Sequence, residues 1–230
     1  MRALKAQIRG HNPIVVFLCE TKANESRMKK VACSIGFPNY VMVDPKGRTG
    51  GLCLLWSSTL DVKTLEFNAN TIAITIKDCS GSWTLIGFYG PPYHAKRDKA
   101  WVNLHALLET INSPWVCCGD FNVVLDDAEK EGGKVGGPST PSFLRDLLFE
   151  LGAVDLGFSS NRFTWSNRRW GRDSIRERLD RAITKIDWRL TFPKVNVFHL
   201  GAINLDHSPL LLDTNPEDTF SHRLFCFEVV

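Results

Sequence analysis

Trp115-Val116-Cys117-Cys118-Gly119-Asp120-Phe121-Asn122 is the stretch from which the rest of the chain is read. Trp115–Cys118 is a short apolar run, the pattern of a strand covered on both faces. A glycine and then an acid follow, which places the Asp120 carboxylate at the rim of a sheet. Asn122 lies two residues on and can point the same way. A carboxylate beside an amide suits a phosphoryl site, one group orienting water and the other donating to a phosphate oxygen. A Gly-Asp-x-Asn turn bonded only to its own backbone is the bland alternative.

Upstream, Ile14–Cys19 is a second continuous apolar run, and Glu20-Thr21-Lys22 follows it. A glutamate at a strand end is a candidate ligand for a hard cation. Glu25–Ile35 reads as a helix stopped by Gly36 and Pro38. Residues 2–9 have the composition of a short helix. Strand candidates then crowd together at Tyr40–Asp44, Leu52–Trp56, Leu60–Phe67, Thr71–Lys77 and Trp83–Tyr89. The last two are joined by the turn Asp78-Cys79-Ser80-Gly81. Tyr89 ends its strand before Gly90-Pro91-Pro92, a rigid turn able to present the hydroxyl to a phosphate. Asp98–Ile111 is an amphipathic helix.

Downstream, 129–141 is a loop rich in glycine and charge, read as surface. Ser139 or Thr140 caps a helix that Pro141 opens and that runs to Leu151. Strands are expected at Phe163–Ser166, Ser174–Ile183, Val195–Leu200, Ser208–Asp213 and Leu224–Val229, with a helical turn at Asp187–Leu190. The alternating stretch contains Arg178-Leu179-Asp180-Arg181, where Asp180 is placed to orient a histidine. Leu205-Asp206-His207-Ser208-Pro209 offers an acid and a histidine side by side. Strands paired in sequence with few helices between them indicate sheet-on-sheet packing, helices outside.

Composition narrows the function classes. The chain has 230 residues and a formal charge of +3, too weak for a polycation and compatible with a local basic patch. Residues 161–190 form such a patch, with nine basic side chains against four acidic ones. Arg162, Arg168, Arg169 and Arg172 interleave there with Trp165 and Trp170, a composition for phosphate contact and base stacking. Seven cysteines cannot all pair internally, and no CxxC spacing occurs. Most of them sit in apolar runs, as reduced core thiols do. With no apolar signal core behind the N-terminal basic residues, this reads as an intracellular protein of nucleus or cytoplasm, neither secreted nor membrane-bound.

Taken in order, E-T-K, Y-G-P-P, G-D-F-N, R-L-D and D-H-S-P resemble the endonuclease/exonuclease/phosphatase superfamily of DNase I-like enzymes. The words FLCETK, GGLCLLW, FYGPP, CCGDFN, RFTWSN, RERLDRAI and DHSPLLL are most similar to the endonuclease domains of plant LINE-type (non-LTR) retrotransposons. The resemblance runs from about Arg2 to Val229. It implies an α+β fold, a DNase I-like four-layer α/β/β/α sandwich, in one domain over 1–230. It implies that Glu20 and Asp206 serve a metal, Mg²⁺ or Mn²⁺. It makes Asp120, Asn122, His207, Asp180 and Tyr89 catalytic. Asp120 would orient or deprotonate water, and Asn122 would place nucleophile and phosphate. Tyr89 would touch the scissile phosphate, and His207 would contact it as well. Asp180 would hold that histidine, with Asp206 as a rival.

The same resemblance implies DNA as partner, a monomer, and a reverse transcriptase region expected of the parent element but absent from this chain. Two departures stand out. The family's first strand, ending in an asparagine, is lacking before the first helix, which implies a gap or exposed edge in one sheet. Pro92 stands where repair-type members carry an asparagine shortly after the tyrosine, against abasic-site repair. The implied activity is Mg²⁺-dependent nicking of DNA. A catalytically impaired nucleic-acid-binding remnant and a phosphatase acting on inositol phosphates are the alternatives.

Overall fold

The computed structural model describes residues 1–47, 49–133, 142–201, 206–216 and 223–228. Helix α1 (Arg2–His11) leads into β1 (Val15–Cys19), α2 (Glu25–Ile35), β2 (Asn39–Val43), β3 (Leu52–Trp56), β4 (Asp61–Phe67), β5 (Thr71–Asp78) and β6 (Gly81–Tyr89). Next come α3 (His94–Thr110), β7 (Trp115–Asp120), a 3₁₀ turn at Asp127–Glu129, β8 (Lys130–Glu131), α4 (Phe143–Leu151) and β9 (Ala153–Asp155). The chain continues through β10 (Trp165–Ser166), a second 3₁₀ turn (Gly171–Asp173), β11 (Arg176–Glu177), β12 (Asp180–Lys185) and α5 (Ile186–Thr191). It ends with β13 (Asn196–His199), β14 (Leu210–Asp213) and β15 (Arg223–Glu228).

Two six-stranded sheets carry the fold, in the orders β13-β14-β15-β1-β3-β2 and β4-β5-β6-β7-β12-β9. Their period-2 side chains explain the continuous apolar runs. Val15, Phe17 and Cys19 of β1 face the second sheet and join Leu52, Leu54, Ile74, Leu85, Val116 and Cys118 in a central core. Val16 and Leu18, on the other face, pack with Leu4, Met28 and Ala32 of α1 and α2. On β7 the same split sends Val116 and Cys118 inward, and Trp115 and Cys117 outward onto Trp101, Leu104, Leu108, Leu144 and Leu147 of α3 and α4. A strand buried on both faces has no polar positions to spare. The layers run helix, sheet, sheet, helix, the four-layer α/β/β/α sandwich of DNase I-like proteins.

Among the described strands, no gap interrupts the first sheet. β15 lies between β14 and β1, antiparallel to the former and parallel to the latter. The closing strand expected at Leu224–Val229 is this β15, an interior strand, and it lies where a gap or exposed edge was expected. Two further expectations change. The long alternating stretch from Ser174 is two strands, β11 and β12, because the chain leaves a small sheet (β10-β11-β8) and enters a large one at Arg178–Leu179. The glycine-rich loop from residue 129 begins with β8, which pairs with β11. β9 was not foreseen: three residues hold the sheet edge without an apolar run. The cap at Ser139 or Thr140 and the opening Pro141 fall outside the described residues, and α4 starts at Phe143. Cys33, Cys53, Cys79 and Cys117 form no disulfide, and Cys33 and Cys79 are exposed rather than held in the core. Burial pushes Cys53 up to about 12, as befits an inert core group.

Candidate active site

Five strand ends meet at one rim. β6 and β7 run parallel there, with Tyr89 opposite Asp120, and β12 runs antiparallel with Asp180 opposite the same residue. That approach depends on two glycines. A Cβ at Gly119 would sit 2.0 Å from the Phe88 carbonyl oxygen, and one at Gly90 would sit 2.2 Å from that of Phe121. Gly119 also has φ +145, a conformation that side chains strain to adopt.

Asp120 is buried and gripped by its neighbour. Its Oδ1 accepts from the Asn122 backbone N–H at 2.8 Å and its Oδ2 from Asn122 Nδ2 at 2.7 Å. Asn122 Nδ2 donates as well to the Gly90 carbonyl at 2.7 Å, and its backbone is left-handed, φ 54. The expected Asx-type turn is therefore present, and it also ties the Tyr89–Pro92 turn to the acid. Burial pushes Asp120 up to about 7; His207 and the Asn122 N–H oppose the rise, while Asp180 and Glu20 add to it.

His207 stands between two carboxylates. Its Nδ1 is 2.9 Å from Asp180 Oδ2 and its Nε2 is 4.0 Å from Asp120 Oδ2. Of the two acids considered for holding the ring, Asp180 is bonded to it. Asp206, half-buried beside it, offers its backbone carbonyl to the Ser166 N–H. Thr164 organises this corner and has no distinctive sequence signature. Its buried Oγ1 accepts from the Leu179 and Asp180 N–H groups at 2.9 and 3.0 Å, and its carbonyl accepts from the Ser208 N–H.

Glu20 lies across the sandwich, at the end of β1. Tyr89 donates its hydroxyl to Glu20 Oε1 at 2.6 Å, and Lys22 Nζ is 2.9 Å from Oε2. Burial first, and then the bond to Glu20, holds the Tyr89 phenol far above its ordinary value, so it stays protonated. The Glu20 turn is fixed by N–H groups of Thr21 and Lys22 donating to Gly51 and Gly50 carbonyls. Arg97, on α3, was not singled out in the sequence. It donates to the Pro91 and Pro92 carbonyls and so braces the turn after Tyr89. Burial lowers its guanidinium, and the fields of Asp120 and Glu177 oppose that.

Asp120, Asp180 and His207 form a group whose ligand atoms all lie within 4.8 Å and can hold a metal ion. Oxygen-dominated donors around Asp120, with Glu20 contributing to its field, fit a hard divalent cation.

The basic patch divides. Arg168, Arg169, Trp170 and Arg172 line an open cleft of about 890 Å³ together with Glu131 and Arg176. Trp170 is 91% exposed. Asn167 shapes the loop beneath it, its Oδ1 accepting from the Arg169 and Ile175 N–H groups and its Nδ2 donating to the Asp173 carbonyl. Arg162 lies over the Phe163 ring and bonds to the Ala128 carbonyl. Trp165 is half-buried, and its backbone bridges to His207, linking patch to rim. Arg178 and Arg181, counted with the patch, are buried and face other partners.

The sequence profile of the endonuclease/exonuclease/phosphatase family matches residues 1–209. The chain belongs to that family. Its fold is similar to the endonuclease domain of TRAS1, a telomere-specific non-LTR retrotransposon, with a TM-score of 0.61 at 15% identity over 90% of this chain and 100% of that one. It is similar to an AP endonuclease from Archaeoglobus fulgidus (TM-score 0.68, 18% identity, 92% of each chain). A 3′ phosphatase from Neisseria bound to a product DNA hairpin gives 0.68 at 16% identity over 91% of each. At these identities the likeness speaks for the fold. No curated protein matches the sequence. Among the described residues, no helix of this family member is long and apolar enough to cross a membrane.

Proposed function

We propose that this chain is a Mg²⁺-dependent endonuclease domain of the LINE type that nicks DNA. The observation that carries the reading is the buried Asp120–His207–Asp180 group, tied by the Trp165–His207 bridge and the Ser166–Asp206 bond to an open cleft lined with arginines and an exposed tryptophan. Hydrolysis of a phosphodiester needs a clamp on phosphate charge, an oriented water and a stabilised leaving oxygen. Asp120 accepts the proton of the attacking water, and its pKa near 7 suits a base working at neutral pH. Asn122 Nδ2 gives one hydrogen to that carboxylate and the other to the Gly90 carbonyl, and so holds the acid in place for the water. The ring of His207 has its Nδ1 on Asp180, so Nε2 faces the Asp120 side, where a phosphate oxygen would lie. Tyr89, protonated, donates at the same rim. A divalent cation near Glu20 and Asp120 would add charge stabilisation to the phosphate oxygens. Asp206 is the further acid assigned to that cation.

The cleft favours a polynucleotide over an inositol phosphate, because its lining joins Arg168, Arg169 and Arg172 with Trp170, a ring able to stack on a base. The uninterrupted first sheet supports an active domain over a decayed remnant. We read the chain as one domain and as intracellular, with the reverse transcriptase of a parent element as its functional companion. Supercoiled plasmid incubated with Mg²⁺ is the test. Open-circle product from the wild type, lost in Asp120→Ala and His207→Ala, is expected. Absence of nicking, or equal nicking by all three, would sink the reading.

A further inference from the structure

A second cluster of largely buried charges lies outside the reacting group. Arg178 and Arg181 face Glu129 and Asp155, with side-chain exposures of 7, 0, 11 and 12%. Glu129 Oε1 accepts from Arg178 Nη1 at 2.7 Å, and Oε2 accepts from Arg181 Nη2 at 2.7 Å. Asp155 Oδ1 accepts from Arg178 Nη2 at 2.7 Å, and Oδ2 accepts from Arg181 Nη1 at 2.8 Å. Two cations and two anions balance. Burial alone would raise Glu129, but Arg181 and Arg178 hold it below its ordinary value.

A buried ion cluster is a poor way to gain stability, since desolvation offsets most of the attraction. Its distinctive capacity is to fix several backbones at once. Glu129 Oε2 also accepts the Leu125 N–H at 2.6 Å. Arg181 Nη2 also donates to the Val123 carbonyl at 3.3 Å and the Arg178 carbonyl at 2.9 Å. Val123 and Leu125 follow directly on Asp120 and Asn122. Arg178 and Arg181 bracket Asp180. Glu129 ends the 3₁₀ turn directly before β8, whose Glu131 lines the cleft, and β8 carries the β10–β11 hairpin by pairing with β11. One carboxylate and one guanidinium thus touch the loop after the water-activating acid, the strand of the histidine's partner and the root of the basic hairpin.

Resting on the nuclease reading above, we propose that Glu129 and Arg181 are positioning residues whose buried pair locks the basic hairpin in register with Asp120 and Asp180, and so sets where along a bound strand the chain cuts. Asp155 neutralises the cluster from β9, which carries neither the hairpin nor an acid of the rim, and supplies the internal control.

The test compares wild type, Glu129→Gln, Arg181→Lys and Asp155→Asn on an end-labelled duplex, with hydrogen exchange on the free proteins. Glu129→Gln and Arg181→Lys should spread or shift the nick positions and raise KM roughly tenfold, leaving single-turnover kcat nearly intact. Their exchange should quicken at 123–131 and 165–177 and stay unchanged in β5 and β6. Asp155→Asn should keep the wild-type nick pattern. Three results overturn the proposal: an unchanged pattern and unchanged local exchange in Glu129→Gln, the same shift in Asp155→Asn, or loss of protection throughout the chain. If the wild type does not nick, the nuclease reading falls, and the exchange comparison alone still decides whether the pair locks the hairpin.

Discussion

Asp180 Oδ2 and His207 Nδ1 are 2.9 Å apart, one at the start of β12 in the second sheet and the other just before β14 in the first. The contact crosses the sandwich and turns the far ring nitrogen toward Asp120. An acid in that position fixes the tautomer and orientation of the imidazole. Asp180→Asn keeps the shape and loses the charge. On the nuclease reading, kcat should fall about 10- to 100-fold with KM little changed. Single-turnover nicking at saturating DNA measures it, and a wild-type rate would show that the pair has no part in the chemistry.

Thr164 makes a different kind of claim, about stability. Its hydroxyl oxygen is the shared acceptor for two buried N–H groups, those of Leu179 and Asp180. Thr164→Val preserves volume and strands both donors. Each buried unsatisfied donor costs about 1–3 kcal/mol. Urea unfolding should register a loss of that order for the valine variant and a much smaller one for Thr164→Ser. A valine variant as stable as the wild type would contradict the geometry.

Asp120 predicts a pH effect in protein stripped of divalent ions. Its pKa rises from 3.8 to about 7 on folding, chiefly through burial. An acid whose pKa is raised in the folded state favours folding below its unfolded value and loses that contribution as pH climbs through the folded one. Stability should therefore decline between about pH 4 and pH 7 in chelator. His199, buried and lowered below 6.5, acts in the opposite direction, so the informative quantity is a difference. Asp120→Asn should lack the declining component and be the more stable protein at pH 8. Melting curves taken at steps from pH 4 to 8 check it, and parallel pH profiles for the two proteins would refute it.

How much of this was readable beforehand depends on how local the cause is. Val15–Cys19 and Trp115–Cys118 announce doubly covered strands because every position is apolar. Glu25–Ile35 is bounded as expected, since Asn24 caps it and Gly36 ends it in the left-handed region. Glu20 and Asp120 were legible as strand-end acids because each closes an apolar run, whereas Asp180 lay inside an alternating stretch and turns out to begin β12. Thr164, Glu129 and Asp155 were not legible, because an isolated threonine or acid in a loop carries no pattern. Their meaning comes from partners up to 52 residues away. β8 and β9 escaped for the same reason: two or three residues become strands only when a partner strand is alongside. The patch around residues 161–190 was half right as a list of charges. Sequence cannot tell an arginine on the surface from one whose fork is satisfied inside, as with Arg181.

That division gives the last prediction its form. Trp170 is exposed on a loop whose shape comes from Asn167, so removing its ring disturbs no packing. Arg169 shares the cleft but acts through charge. If the cleft holds a nucleic-acid strand, Trp170→Ala should weaken binding by about 1–3 kcal/mol, the worth of one stacked base, with the salt dependence unchanged. Arg169→Ala should weaken binding and also reduce the slope of log K against log salt by about 1, because one phosphate fewer is neutralised. Neither should shift the melting temperature measurably. Fluorescence anisotropy with a labelled oligonucleotide across a salt series separates the two. Equal effects on slope, or no effect of either variant, would remove the cleft from the binding surface and leave the rim to act without it.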